Sequence, residues 1–430
     1  MLDIAFIREN PDVVRESQRK RGESVELVDE VLDLDKLNRE ALKKYEDARA
    51  QQKQMGKKVA AAPKDQKAEV LKEVKAFSEQ VGRLNADADK ARADYEAQAW
   101  KLSNIVEPEA PEGGENDYIV RSKHGTPRDF AKEGFEPKDH LTLGEAVDGI
   151  DMKRGVKVGG TRFYFLKNDL ARMEIAMHTM AFEQARQHGF QLVITPTLVR
   201  PEIMAGTGFL NAHADEIYRL REPDNQYLVG TSEVALAGMH ENEILDLSKG
   251  PLRYSGWSAC YRREAGAAGK DTRGIIRVHQ FYKVEMFVYC KPEEARQQHQ
   301  DLLHMEWDML QKVDVPWRTI DTAAGDLGAS ASRKFDNEAW FPSEGRYREL
   351  TSTSNCDEYQ ARRLNIRYRK DDGSTAACAT LNGTLATTRW LVAIMENHQQ
   401  KDGSIVIPEA MRPYMGGQEV IEPITDRNND

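Results

Sequence analysis

The densest group of residues able to do chemistry lies between positions 261 and 285, in the stretch YRREAGAAGKDTRGIIRVHQFYKVE. Arg262 can place a forked guanidinium on a phosphate, and Glu264, two residues later, is expected on the same strand face, where it can accept from an exocyclic amine. A Gly-rich loop follows, and Phe281 in the returning strand offers a ring for a flat base. This order suits a nucleoside triphosphate. From the stretch alone, a charged surface hairpin explains it equally well.

A hydroxyl and a carboxylate lie close together at Thr231, Ser232 and Glu233, after a strand-like run and a glycine. This composition suits a ligand ammonium, but an ordinary helix N-cap explains it equally well. Glu285 lies in a strand-like run with apolar neighbours. Because an unpaired buried carboxylate is costly, we expect Glu285 to face a pocket and to meet a cationic or hydroxylated ligand.

A second polar strand end contains Glu349, Leu350, Thr351 and Ser352. Its carboxylate and hydroxyl oxygens are the hard ligands that suit Mg²⁺ bridged to a triphosphate, with Glu349 and Ser352 as the expected metal ligands. A polar edge strand is the alternative interpretation.

A run of small residues, 382–388, is interpreted as a loop that leads into an apolar helix from Trp390 to Asn397. The N-terminus of that helix, with Arg389 in its first turn, is a natural anion site. An ordinary capped helix with a salt-bridged arginine is the alternative.

The composition is that of a globular protein of two or three domains: 430 residues, 40% hydrophobic and 31% charged. No apolar run has the ~20 residues of a membrane span, and the N-terminus lacks a signal peptide, so the expected location is the cytoplasm, without membrane contact. Four widely spaced cysteines predict reduced, mostly buried thiols and no zinc site. The net charge of -10 argues against indiscriminate coating of nucleic acid.

Two heptad-like rows of apolar residues, from Leu27 to Ala62 and from Val70 to Leu102, are joined by a short turn at 61–65. They predict an antiparallel helical coiled-coil arm, on the order of 50 Å long at about 1.5 Å per residue. The lysines near its tip are expected to grip an RNA backbone, although mixed surface charge is the simpler explanation for the other charged residues. These tip lysines are Lys53, Lys57, Lys58, Lys64, Lys67, Lys72 and Lys75.

The chain is therefore divided into an arm domain (1–105), a Pro- and acid-rich linker (106–117), a larger domain (118–425) and a tail (426–430). Strand-like and helical runs of the larger domain do not alternate regularly. This favours an α+β fold over a doubly wound one.

Together, these segments resemble the three signature motifs of class II aminoacyl-tRNA synthetases, and with the arm they resemble the bacterial seryl-tRNA synthetase family over nearly the whole chain. Motif 1 corresponds to Leu170–Pro196, motif 2 to Arg262–Phe281 and motif 3 to Gly383–Arg389. The resemblance implies an antiparallel-sheet catalytic domain that forms a homodimer. Motif 3 is one residue shorter here than in many relatives.

The resemblance also implies roles for individual residues. Arg262 and Arg389 are the expected catalytic residues, and L-serine, ATP and Mg²⁺ are the expected substrates and cofactor. The residues expected to bind ATP are Arg262, Arg263, Glu264, Val278, Phe281, Glu349, Leu350, Thr351, Ser352 and Arg389. Those expected to bind serine are Thr231, Ser232, Glu233, Glu285 and Thr384.

The implied activity is ATP-dependent, AMP-forming attachment of serine to tRNA(Ser), and also to tRNA(Sec). Two alternatives are a serine-activating ligase with a different acceptor and a catalytically silent tRNA-binding paralogue. The intact arm argues against the first, and the retained Arg262, Glu264, Glu285 and Arg389 argue against the second.

Overall fold

The computed structural model describes residues 1–61, 63, 66–212, 214–266, 269 and 271–424, with side chains at all of these except 58–61, 211 and 212. The chain divides into two compact units, Met1–Ile105 and Val106–Asp430.

The first unit is helical. Its helices are α1 (Ile4–Glu9), α2 (Pro11–Arg21), α3 (Glu26–Ala61) and α4 (Lys67–Ala99). Gln52 of α3 donates to Ser78 of α4 at 2.8 Å, and Asp35 of α3 interacts electrostatically with Tyr95 of α4. Residue numbers therefore rise along one helix as they fall along the other, so the two helices are antiparallel, as predicted.

The predicted seam lies between these two helices. Val31 on α3 is buried, as are Val81, Ala88 and Tyr95 on α4. Steps of three and four residues bring one stripe of each helix to the partner, which is why the heptad pattern fixes the packing. Of the predicted turn, positions 62, 64 and 65 lie outside the described residues.

The second unit combines many strands with helices that do not alternate with them. Its strands are β1 (Ile119–His124), β2 (Ile150–Asp151), β3 (Phe165–Leu166), β4 (Gln191–Ile194), β5 (Leu198–Val199), β6 (Tyr227–Leu228), β7 (Ile244–Leu245), β8 (Leu252–Tyr261), β9 (Gln280–Cys290), β10 (Trp317–Asp321), β11 (Arg333–Phe341), β12 (Arg346–Asn355), β13 (Arg367–Arg369), β14 (Thr375–Ala377), β15 (Ala379–Thr387), β16 (Ile405–Val406) and β17 (Val420–Ile421). Its α-helices are α5 (Phe130–Glu133), α6 (His140–Ala146), α7 (Met152–Gly159), α8 (Asn168–Gln187), α9 (Pro201–Gly206), α10 (Phe209–Ala212), α11 (Glu233–Gly238), α12 (Ala295–Val313), α13 (Tyr359–Arg363) and α14 (Thr388–His398).

One large sheet organises this unit, with the strand order β1-β10-β11-β12-β15-β9-β8-β4. Neighbouring strands are antiparallel except β4 and β8, which are parallel. The central strand β9 is buried on both faces. Val284 and Met286 point into one hydrophobic core with α8, α12 and α14, and Phe287 and Tyr289 into a second core with α11. The α+β prediction is confirmed.

Two local features differ from or add to the sequence interpretation. The run of small residues at 382–388 is not a loop: its residues up to Thr387 form β15 in the middle of the sheet, and α14 begins at Thr388. At Gly383 a Cβ would lie 3.2 Å from both Glu306 Oε1 and Met286 Cε, which is a tight contact, so this position favours glycine. Residues 106–117 belong to the second unit, where Val106 and Ala110 pack in a small core and the Glu107 amide donates to the Ser332 carbonyl.

Candidate active site

The sheet brings the candidate segments together at the ends of three adjacent strands. On β9, Glu285 lies between Gly256 of β8 and Thr384 of β15, and Lys283 lies between Ser258 and Thr387. Side chains two residues apart on a strand share a face, so Phe281, Lys283 and Glu285 form one row.

A pocket lies over this row and collects residues from each of the predicted nucleotide segments. It is lined by Arg262, Glu264, Ile275, Ile276, Arg277, Val278, Phe281, Lys283, Glu349, Leu350, Thr384, Thr387, Thr388 and Arg389. Segments that are more than 100 residues apart in the chain therefore form one concave, strongly charged site.

Arg262 has an exposed side chain at one side of this pocket. Its Nε donates to the Gly230 carbonyl at 3.3 Å, and its guanidinium lies 5.2 Å from the centre of the Phe281 ring. These contacts orient the guanidinium while leaving its terminal nitrogens available to a ligand. A cation and a ring side by side suit a phosphate and a flat base, respectively.

Glu264 lines the same pocket, but it does not lie on the strand where it was predicted. Strand β8 ends at Tyr261, and Glu264 has a left-handed backbone with φ of 51°. The expectation that Arg262 and Glu264 share a strand face is therefore wrong. Arg277 donates to Glu264 Oε2 at 2.6 Å, so an arginine from the other side of the loop positions this carboxylate.

Arg389 closes the opposite side of the pocket. Its Nη1 donates to the Glu349 carbonyl at 2.7 Å and its Nε to the Ile276 carbonyl at 3.4 Å. Burial lowers the pKa of Arg389, against the opposing effect of the Glu349 carboxylate. Enclosure alone would raise the pKa of Glu349, but the charges of Arg389 and Lys334 lower it below its ordinary value. The Glu349 carboxylate, whose pKa is lowered, therefore stays ionised at neutral pH beside the Arg389 guanidinium.

Glu285 is fully buried and paired. Its carboxylate forms an ion pair with Lys283, and Lys283 Nζ also donates to Thr384 Oγ1 at 3.2 Å. Thr384 Oγ1 lies 3.4 Å from Glu285 Oε2. That Glu285 binds a cationic or hydroxylated ligand stays a prediction, because the partners seen here, Lys283 and Thr384, are groups of the chain itself. Burial raises the pKa of Glu285, against the effect of Lys283.

Glu233 lies at the start of α11, and its backbone amide donates to Thr231 Oγ1 at 3.2 Å. Gln360 donates to Glu233 Oε1 at 2.8 Å and accepts from Thr380, which fixes the carboxylate. Burial, followed by the negative charge of Glu285, raises the pKa of Glu233 to about 7. The neighbouring Ser232 is buried and donates to the Gly256 carbonyl at 3.4 Å.

Several predicted residues are placed elsewhere. Arg263 lines a separate cavity with Tyr218, and its amide donates to the Glu216 carbonyl. The Leu350 side chain packs in the hydrophobic core. The Thr351 hydroxyl is buried and donates to the Thr384 carbonyl. Arg263 and the Thr351 hydroxyl are thus directed away from the pocket, whereas Leu350 lines the pocket while it packs in the core.

The candidate metal ligands can be tested against the chemistry around them. In the described part of the chain, no group of three or more His, Cys, Asp or Glu side chains is arranged to hold a metal ion. Glu349 lines the pocket, and Ser352 on the same strand pairs with Asp336 of β11. The Asp336 Oδ1 atom is buried and has no hydrogen-bond partner. Oxygen donors of this kind fit Mg²⁺ that arrives with a triphosphate and keeps most of its water.

Comparison with known proteins decides the family. Residues 1–106 match the seryl-tRNA synthetase N-terminal domain, and residues 218–398 match the tRNA synthetase class II core domain (G, H, P, S and T). The chain is 74% identical over 423 residues to the serine–tRNA ligase of Bifidobacterium longum (strain DJO10A), covering 98% of this chain and 99% of the relative. The chain belongs to the seryl-tRNA synthetase family. Its second unit therefore has the class II synthetase fold.

Two solved structures agree with this membership of the seryl-tRNA synthetase family. The crystal structure of seryl-tRNA synthetase from Pyrococcus horikoshii complexed with ATP is 38% identical, has a TM-score of 0.91 and covers 99% of this chain and 100% of that one. The cytoplasmic serine–tRNA ligase of Naegleria fowleri in complex with AMP is 32% identical, has a TM-score of 0.87 and covers 98% and 99% of the two chains.

Three pocket or neighbouring residues of this family member were missed by the sequence interpretation: Lys283, Arg277 and Gln360. For Lys283 a signal was present, because a lysine two residues before Glu285 must share its strand face. Gln360 is 127 residues from Glu233, and nothing in the sequence connects them. Arg277 follows the Gly-rich loop, and only the fold shows that it is the partner of Glu264.

Proposed function

We propose that the chain activates L-serine with ATP to form seryl-adenylate and pyrophosphate, and then transfers the seryl group to the 3′ end of tRNA(Ser), releasing AMP. The proposal rests on the full-length similarity to serine–tRNA ligases and on one geometric observation. The pocket that holds Arg262, Phe281 and Arg389 continues directly into the row that contains Lys283 and Glu285. A nucleotide and a small zwitterion bound there lie next to each other.

In the first step, a serine carboxylate oxygen attacks the α-phosphorus and the bond to pyrophosphate breaks. Arg262 binds the α-phosphate and neutralises the charge that develops on it. Arg389, charged and fixed by two carbonyl oxygens, binds the γ-phosphate and covers the outer face of the base. Phe281 packs on the inner face, and Glu264 and the backbone at Val278 bind the adenine edge. Catalysis is therefore by positioning and charge neutralisation.

In the second step, a terminal ribose hydroxyl of the tRNA attacks the seryl carbonyl carbon. The ester bond forms, the bond to the phosphate breaks, and AMP leaves. Arg262 again faces the phosphate that carries the charge of the leaving group.

Mg²⁺ would be held by Glu349 and Ser352, and when bound it neutralises triphosphate charge. Asp336 lies across the strands from Ser352 and offers a further carboxylate near these two residues. The serine carboxylate and the tRNA hydroxyl are the nucleophiles of the two steps, so the role of the pocket residues is to bind and orient.

Serine would be recognised at the row below the nucleotide. Thr231, Ser232, Glu233, Glu285 and Thr384 supply the carboxylates and hydroxyls for its ammonium and hydroxyl groups. A pocket built from buried polar groups rejects alanine strongly, because loss of the ligand hydroxyl leaves them unpaired.

The arm would bind tRNA(Ser), and tRNA(Sec) if that tRNA presents the same long variable arm. Lys53, Lys57, Lys67, Lys72 and Lys75 are exposed. Among the described residues, none of these five lysines makes an ion pair, so their charge is available to phosphates. Lys64 and the side chain of Lys58 lie outside the described part of the chain.

The second unit would form a homodimer through the motif 1 segment. A cavity of about 560 Å³, lined mainly by apolar side chains of α7, β3 and α8, opens there. Val158, Ile175 and Ile194 in this region are 76%, 58% and 77% exposed, which is unusual for large aliphatic residues in one area. We further propose that the arm domain ends at residue 105, that the catalytic domain extends from 118 to 425 with residues 106–117 packed against it, and that the chain is cytoplasmic. None of the described helices is long and apolar enough to cross a membrane.

The test is amino-acid-dependent exchange of pyrophosphate into ATP, followed by transfer to tRNA. Exchange with serine alone among the standard amino acids, and serylation of tRNA(Ser), are expected. A chain that gives no exchange with any amino acid but binds tRNA would be a silent paralogue. Exchange without transfer to tRNA would instead identify a ligase with a different acceptor.

A further inference from the structure

Lys283 occupies the position where the proposed function places the cation of the substrate. Its ammonium pairs with Glu285 and donates to Thr384 Oγ1 at 3.2 Å. Lys283 is 6% exposed and Glu285 1% exposed, so water contributes little to this pair. The two groups expected to bind serine are therefore already bound to a cation of the chain.

The ammonium of serine cannot bind Glu285 unless Lys283 moves. The ammonium of serine and the ammonium of Lys283 would compete for the same carboxylate oxygens, and two like charges in a buried site repel strongly. Glu233 does not relieve the conflict, since burial and the charge of Glu285 raise its pKa to about 7, which leaves a substantial fraction protonated.

Lys283 also lies beside the pocket in which the anionic groups of the substrates are proposed to bind. It lines the nucleotide pocket together with Arg262, Glu349 and Arg389. In the proposed reaction, the serine carboxylate and the α-phosphate lie in that pocket. A lysine has a flexible four-carbon stem and three donors that can be redirected, which a planar arginine lacks.

We propose that Lys283 is a placeholder cation: it neutralises Glu285 while the amino acid site is empty, and turns to the carboxylate of the amino acid when the ammonium of serine takes its place. This proposal rests on the proposed function. One internal ion pair is exchanged for two pairs with the ligand, so the number of unpaired buried charges stays constant during binding.

The exchange makes binding depend on both ends of the ligand. An amine without a carboxylate displaces Lys283 but leaves its ammonium without a partner, whereas an acid without an amine has to separate Lys283 from Glu285. Either leaves one buried charge unpaired, which costs far more than the loss of a surface contact. Serine, a zwitterion, satisfies both groups.

The test compares serine with ethanolamine, which lacks only the carboxylate, in the unaltered chain and in Lys283→Met. Dissociation constants are measured by titration calorimetry, so the readout does not depend on turnover. We expect serine to bind Lys283→Met at least about thirtyfold more weakly, because the carboxylate loses a buried partner. Ethanolamine should bind it at least about threefold more tightly, because the carboxylate of Glu285 is no longer occupied.

Weaker binding of serine together with tighter binding of ethanolamine would support the proposed role of Lys283. If both ligands weaken together, or if ethanolamine is unaffected, Lys283 remains with Glu285 throughout and the proposal is overturned. An unchanged affinity for serine would overturn it equally. Serine-dependent exchange by the unaltered chain is measured first, so a failure of the proposed function appears there and not in the sign of the ethanolamine shift.

Two further variants protect the interpretation. Lys249→Met removes an exposed lysine before β8 and should change neither constant. Thermal unfolding reports whether Lys283→Met retains its fold. If it does not, Lys283→Gln, which retains a donor for Thr384, should show the same opposite shifts, and shifts in one direction would overturn the proposal.

Discussion

The arm and the active site both bury carboxylates, but with opposite charge balance. In the arm, Asp35 accepts from Arg8 Nε at 2.8 Å and from Arg39 Nε at 3.0 Å, so one carboxylate has two cations. In the active site, two buried carboxylates, Glu233 and Glu285, share one buried cation, Lys283.

The pKa values reflect this difference. Burial alone would raise the pKa of Asp35, but the hydrogen bonds from Arg8 and Arg39 lower it. The pKa values of Glu233 and Glu285 are raised, because one lysine does not offset burial. A buried carboxylate with two cationic partners is held in one arrangement. Two buried carboxylates with one cation between them can accept a further cation from a ligand. The arm is thus built for a fixed shape and the pocket for an exchange of partners.

Replacing a glutamate by glutamine in the active site and in the arm should give the largest difference in activity between the two regions. Glu285→Gln removes the carboxylate proposed to bind the serine ammonium and leaves Lys283 buried without a counter-charge, so serine-dependent exchange should fall more than about a hundredfold. The matched change Glu79→Gln, at an exposed position of α4, should leave exchange unchanged. Exchange rates with serine, with thermal unfolding as a check on folding, measure both. Similar rates for the two variants would show that Glu285 is not in the site.

A pH series tests the raised carboxyl pKa values of the second unit, which contrast with the lowered pKa of Asp35 in the arm. Burial raises the pKa of Glu174 to about 8, against a hydrogen bond from Thr388. Because its folded-state pKa lies above the unfolded value, its contribution to stability is complete at low pH and is lost as pH rises from about 4.5 to about 8.

Glu174→Gln should therefore reduce the loss of unfolding free energy between about pH 6 and pH 8 by about 2 kcal/mol. The neighbouring His178 does not contribute in this window, because burial lowers its pKa to about 4. Denaturant unfolding at several pH values measures the difference. Parallel curves for the variant and the unaltered chain would mean that Glu174 is ionised in the folded state.

Removal of tip charge should affect only the tRNA step. Replacing Lys67, Lys72 and Lys75 together by alanine should raise the KM for tRNA about tenfold, equivalent to about 1.4 kcal/mol, and flatten its dependence on salt, because phosphate contacts are lost. Serine-dependent exchange should not change.

Lys90→Ala is the matched control for the tip lysines, because Lys90 forms an ion pair with Asp94 within α4. It should leave the KM for tRNA nearly unchanged. If Lys90→Ala raised the KM for tRNA as much as the tip substitutions do, the overall charge of the arm would matter and not the position of the lysines at its tip.

The smallest effect is expected at Gln52, a polar residue of α3 that contacts Ser78 of α4. Gln52→Leu removes the hydrogen bond to Ser78 but adds apolar surface at a seam position, so it should stabilise the arm by less than about 1 kcal/mol. Hydrogen exchange of the α3 and α4 amides measures this directly. Faster exchange in the variant would show that the Gln52–Ser78 bond contributes more than the apolar contact does.

Much of the fold follows from periodicity. The seam that ends in Tyr95 on α4 and the strands around Glu285 are found where the sequence places them, because three-four and two-residue periods report directly which side chains turn inward. The run that ends at Thr387 was misread as a loop. Small residues suggest a turn locally, whereas here the glycine at 383 lies in a strand that α12 and β9 approach closely.

The sequence by itself determined that Glu285 needs a partner, because an apolar strand cannot hold an unpaired carboxylate. Only the tertiary structure decided that the partner is Lys283. It also decided that Glu264 reaches the pocket through a left-handed turn and a bond from Arg277. Spacing along a strand is a local property, but the end of a strand and the choice of a counter-charge depend on which distant segments pack beside it. The residue types thus determine which chemistry the site can do, whereas the packing of the sheet determines which charged groups are paired.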